Sequence, residues 1–119
     1  MAVAITTIFR GAIERDPASG VEIAKLMTNS GFRDPEGVYM MARCAARLDQ
    51  VDTALQMFEL VISRGFHCAA TMRRDPWLAA LRGRPEFEVL IERAEAGHRE
   101  AARVFREVGG EALLGVEAE

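Results

Sequence analysis

The sequence predicts an all-α fold, a stack of helical hairpins, and three observations predict it. Apolar residues recur in steps of three and four along most of the 119 residues, the spacing of one helix face. All four prolines stand where a helix would begin, three of them inside the triplet Arg-Asp-Pro at residues 15–17, 33–35 and 74–76. Two segments also end alike, at Gly31-Phe32 and Gly65-Phe66, 34 residues apart. Sustained strand alternation and Asn-Gly hairpin signals are absent from the sequence.

Each element follows from local chemistry. Proline suits the first turn of a helix, where its missing N–H would have had no partner. An aspartate before it can accept hydrogen bonds from the free amides, and it meets the positive end of the helix dipole. Asp16-Pro17, Asp34-Pro35 and Asp75-Pro76 therefore mark three helix starts. Arg84-Pro85, followed by Glu86 and Glu88, marks a fourth. The first helix is expected near 3–15, with Ile5, Ile8, Phe9, Ala12 and Ile13 on one face, and the second near 17–30, through Val21, Ala24 and Met27 to Gly31. Residues 35–48 form the third, with Val38, Met41, Ala42, Ala45 and Leu48 in register. Asp49-Gln50 leaves room only for a tight antiparallel turn. The fourth helix, 51–64, carries Ala54, Leu55, Phe58, Val61 and Ile62 and stops at Gly65, a helix C-cap. A short helix near 76–82 holds Leu78 and Leu81, with Trp77 beside them covering the last hairpin. A long last helix, 85–107, has the stripe Phe87, Leu90, Ile91, Ala94, His98, Ala101, Phe105 and Val108. At 1.5 Å per residue it would exceed roughly 30 Å.

A chain of this length makes one domain that buries most of a core without disulfide or metal staples. Its 50% hydrophobic and 28% charged residues are ordinary for a soluble globular protein. No apolar run approaches the roughly 20 residues that span a bilayer, so no membrane partner is expected. The start, MAVAITTIFRGAIER, contains Glu14 and no small-residue cleavage site after an apolar run. It reads as a structural helix rather than a signal peptide. Cys44 and Cys68 make no disulfide framework, so a cytoplasmic location is expected. Among 15 basic residues only Lys25 is lysine, a bias associated with a GC-rich bacterial genome. The net charge of −3 divides into −2 over residues 1–60, +4 over 61–84 and −5 over 85–119. A mildly acidic total argues against a nucleic-acid binder, whose affinity comes mostly from neutralising phosphates.

A 34-residue period of two helices and a short turn is the spacing of tetratricopeptide repeats, and residues 35–68 resemble one. In that family's pattern small residues take the eighth and twentieth places and an aromatic the twenty-fourth. Counted from Pro35 these are Ala42, Ala54 and Phe58, the residues that pack where the two helices cross. Val38 and Ala45 stand where the pattern has larger residues, and Phe66 where it has its closing proline. The stretch MRRDPWLAALRGRPEF resembles the segment that closes such arrays near the C-terminus of bacterial multidomain regulators. Asp75, Pro76, Leu78, Leu81, Arg82, Pro85 and Phe87 carry that likeness. The resemblance implies a right-handed, tetratricopeptide-like α-α superhelix over residues 1–119, with 1–34 as a degenerate repeat and 35–68 as the best-matching one. Residues 69–119 supply a closing short helix and a long C-terminal capping helix that shields the exposed end.

No catalytic constellation is visible. His98 lies on the apolar stripe of the last helix and reads as a half-buried packing residue. His67-Cys68 lacks the four suitably spaced donors of a zinc site, and Cys44 reads as a buried hydrophobe. Gly83 and Gly109-Gly110 lack the context of a phosphate loop. No enzymatic activity, metal or cofactor is expected. The arginines between Arg73 and Arg84 could attract an anion or nucleic acid; the expected role is internal, against the acidic last helix.

The resemblance also implies a concave face, lined here by Glu36, Tyr39, Met40, Arg43, Ala46 and Arg47. Arg43 and Arg47 stand one turn apart with Tyr39 before them. They could grip an acidic peptide through fork-like hydrogen bonds, or form an ordinary solvated helix face. The expected function is a protein–protein interaction module, scaffolding or regulatory, that binds a protein or peptide. The alternative is a structural cap, or a domain of a larger bacterial signalling or transcription regulator that self-associates as a homodimer through Ile5, Phe9 and Ile13.

Overall fold

A computed structural model describes residues 2–16 and 31–117, together with residues 22, 25 and 29. The helix expected over 17–30 lies outside the described residues apart from those three positions. Every described element is helical: α1 (Ala2–Glu14), α2 (Pro35–Arg47), α3 (Val51–Ser63), α4 (Ala69–Arg74), a 3₁₀ helix (Pro76–Leu81), α5 (Pro85–Glu107) and α6 (Gly110–Leu114). The all-α expectation holds. The short helix is 3₁₀ rather than α, and α4 and α6 are additions that periodicity did not show, since five or six residues are too few to display it.

The capping chemistry sets the boundaries. Asp34 accepts the Gly37 amide at 3.0 Å and Pro35 opens α2. Asp75 accepts the Trp77 amide at 3.0 Å ahead of Pro76. Arg84 provides no side-chain cap, and Glu86 and Glu88 occupy the first turn of α5. Helices α2 and α3 finish alike. The Gln50 amide returns to the Ala45 carbonyl at 2.9 Å, and the Phe66 amide to the Val61 carbonyl at 3.0 Å. Both closures need a left-handed residue just past the helix. Gly65 supplies it at φ 97 without strain, whereas Asp49 supplies it at φ 57.

Helix α2 sits at the centre. It pairs with α3 across the tight turn and also meets α1 and the 3₁₀ helix, while α5 packs on α3 and α4. Its buried residues, Val38, Tyr39, Met41, Ala42, Cys44, Ala45 and Ala46, therefore reach almost all round it. Ala42, Ala54 and Phe58 are fully buried at the α2–α3 crossing. In the 3₁₀ helix, positions three apart eclipse one another, so Leu78 and Leu81 both enter the core. An aromatic chain links the layers: Phe66 stacks on Tyr39 with centroids 4.8 Å apart, Tyr39 meets Phe58 edge-on at 5.9 Å, and Phe58 meets Phe87 at 5.9 Å.

Helix α5 changes character halfway. Phe87, Leu90, Ile91 and Ala94 are buried, and every residue from 95 to 107 is partly or fully exposed. His98 is exposed, not half-buried as its place on the stripe suggests, because the helices that cover the stripe stop near Ala94. Among the described residues no helix is long and apolar enough to cross a membrane.

Candidate functional site

The residues expected to line an open face converge instead on a contact within the chain. Tyr39, Arg43 and Arg47 descend one side of α2, and the N-cap of the 3₁₀ helix is laid across them. Asp75, only 6% exposed, is buried there. Its carboxylate accepts hydrogen bonds from the Tyr39 hydroxyl (3.0 Å), from Nε and Nη2 of Arg43 (the latter at 3.1 Å) and from the Trp77 amide (3.0 Å). Arg43 and Arg47 both stand over the Trp77 ring, with guanidinium carbons 4.7 and 4.9 Å from its centroid. Arg47 also donates through Nε to the Ala12 carbonyl at 3.0 Å and so ties α1 to α2. Trp77 is half-buried and touches Phe9 of α1, with centroids 6.3 Å apart. The aromatic thus covers α1 and the arginines, while Leu78 and Leu81 take the deeper places.

The electrostatics match a structural joint. Burial pushes the Asp75 carboxyl up, but hydrogen bonds from Arg43, the Trp77 amide and Tyr39 outweigh it and hold the group below the ordinary aspartate range. Burial, reinforced by the neighbouring carboxylate, raises the Tyr39 phenol well beyond its usual value. Burial pulls the Arg43 guanidinium down, and the Asp75 carboxylate more than offsets it. A carboxylate has about four lone-pair sites, and four donors fill them here, so Asp75 has no capacity left to act as a base.

Glu36 and Met40 line a cavity of about 190 Å³ with Ile8, Phe9, Gly37 and Met41, between α1 and the start of α2. Ala46 is buried. Cys44 is buried and its thiol is pushed up to about 11 by burial, whereas Cys68 is exposed. Of the arginines at 73–84, Arg73 donates to Glu95 at 2.8 Å and Glu88 at 3.5 Å on α5. Arg82 donates to the Arg73 and Asp75 carbonyls, and Arg84 to the Ala80 carbonyl. Among the described residues no group of three or more His, Cys, Asp or Glu side chains could hold a metal ion.

Two surfaces went unread in the sequence. One is the projecting end of α5 with α6, where Val104, Val108, Leu113, Leu114 and Val116 are exposed. The Phe105 ring closes over Gly110 and folds α6 back on α5, which leaves those apolar side chains outward. The stripe itself was legible; the absence of a covering element was not. The other is a cleft of about 500 Å³ between α4 and α5, walled by His67, Arg73, Arg74, Glu95, His98 and Arg99. It depends on α4, for which the sequence gives no periodic signal. No family model matches the chain, and no curated protein and no solved structure matches it either.

Proposed function

We propose that the chain is a protein–protein interaction module of scaffolding or regulatory kind, without catalysis, whose helix pairs stack as a tetratricopeptide-like α-α superhelix. The observation that carries this reading is the projecting arm: Val108, just past the end of α5, and Leu113 on α6 are 76% and 85% exposed. Large apolar side chains left in water at one end of a fold are candidates for a contact surface. The peptide-gripping role first assigned to Tyr39, Arg43 and Arg47 passes to this arm, because those three side chains already hold Asp75, Trp77 and Ala12. Glu36 and Met40 remain beside an apolar cavity too small for more than one inserted side chain. The test is site-specific photocrosslinking from positions 108 and 113 in cells, with exposed Asp52 on α3 as the control position. Protein adducts from 108 and 113 and none from 52 support the reading; equal labelling from all three positions removes it.

A second reading is a structural cap within a larger signalling or transcription regulator. Ile13, 62% exposed at the end of α1, favours it, since a preceding hairpin could cover that residue. Crosslinking from position 13 in preference to 108 would select this alternative.

A further inference from the structure

We propose that the cleft between α4 and α5 binds a single dianionic phosphoryl group, such as that of a phosphate monoester. Arg73, Arg74 and Arg99 line the cleft, with Glu95 as the one acidic residue among them. Arg73 and Glu95 answer one another through a 2.8 Å hydrogen bond. Arg74 has no hydrogen-bond or ion-pair partner among the described residues, and Arg99 meets Glu95 only electrostatically, without a hydrogen bond. Two cations without a bonded carboxylate therefore face one cavity, a count that suits a dianion better than a carboxylate. Guanidinium forks match the geometry of phosphoryl oxygens, and Thr71, which also lines the cleft, adds a hydroxyl donor.

The walls are built to keep the space open. The His67 ring lies flat on Gly97, where an added Cβ would come within 2.4 Å of the imidazole. Only glycine at that place on α5 lets the ring seat so closely and form one side of the cleft. The volume, about 500 Å³, exceeds a phosphoryl group and leaves room for what it is attached to. A nucleic-acid strand is disfavoured by the surroundings. Glu88, Glu92 and Glu95 follow along one side of α5, within a segment of net charge −5. A row of phosphates would meet these carboxylates, while one phosphate need not.

The experiment titrates the full chain with inorganic phosphate, O-phosphoserine and serine, at low salt and mildly alkaline pH where the phosphoryl group is fully ionised. Binding is followed by calorimetry and by backbone amide shifts. Both phosphates should bind saturably, O-phosphoserine the more tightly, with shifts centred on residues 67–74 and 95–99; serine should not bind. Arg74→Gln and Arg99→Gln should each weaken O-phosphoserine by about tenfold, the loss of one charge-assisted pair. Their melting temperatures should stay unchanged, because both side chains are exposed and hydrogen-bond nothing among the described residues. Glu95→Gln should tighten binding by removing a negative charge from the cleft, with Arg73 left to Glu88 alone. Absence of saturable binding, or binding indifferent to both arginine substitutions, overturns the proposal. So does a short single-stranded oligonucleotide that binds more tightly than O-phosphoserine with a steep salt dependence, which would make the cleft a polyanion site.

Discussion

The joint between α2 and the 3₁₀ helix and the arm formed by distal α5 with α6 are opposite solutions to the same problem of helix surface. At the joint, polar groups go inside and each finds a partner: Tyr39, Arg43 and the Trp77 amide all close on Asp75. On the arm, apolar side chains stay outside and charged ones pair along their own helix, as Arg103 does with Glu100 and Glu107. Exposed pairs of that kind contribute little, whereas buried ones are costly to break. The difference teaches that polarity alone marks neither the inside nor the working surface of this protein. What decides is whether another element arrives to cover the face.

The sharpest way to break that contrast is Asp75→Ala. It strands a guanidinium and a phenol in a nearly dry site and should cost about 3 kcal/mol, read from the midpoint and slope of urea denaturation. The same carboxylate predicts a pH dependence. Its pKa is depressed on folding, so its contribution is fully present above the ordinary aspartate value of about 3.9 and is lost as pH falls through the depressed one. Asp75→Asn should flatten that limb of the stability–pH curve; an unchanged limb would locate the acid sensitivity elsewhere. Next in size, Trp77→Ala removes a half-buried ring and its contacts with Phe9, Arg43 and Arg47, for a loss of about 2 kcal/mol by the same measurement. Beside the joint, Asp49→Gly should stabilise by about 0.5 kcal/mol, because a left-handed position costs glycine nothing in side-chain clash. A measured loss would show that the Asp49 side chain helps hold the joint. Smallest of all, Val108→Ser with Leu113→Ser should change the unfolding free energy by less than about 0.5 kcal/mol. A drop as large as that of Trp77→Ala would mean that the arm is packed and the contrast false.

Much of the fold was legible because its determinants are local. Aspartate before proline is a capping device that works within one turn, and Asp34 and Asp75 cap where expected. The apolar stripes of residues 38–48 and 51–62 needed only helical spacing, and Gly65 ends the second as a left-handed residue. The environment of Tyr39, Arg43 and Arg47 was not legible, because an arginine pair on a helix reads the same whether water or a carboxylate 32 residues away answers it. Phe66, just past the Gly65 that ends α3, proves to be the ring that stacks on Tyr39. The α4–α5 cleft was hidden for a different reason: its walls come from a six-residue helix and from a glycine whose value lies in what presses on it.

The bond from Tyr39 to Asp75 spans 36 positions of chain. Contacts between neighbours in sequence form quickly, whereas a distant pair must first give up the freedom of the intervening loop. The α2–α3 hairpin is therefore expected to assemble early, and the carboxylate to dock afterwards as a latch on a pair already in place. A chain released only as far as the hairpin would display Arg43 without its carboxylate, and it completes its interior only once the latch emerges.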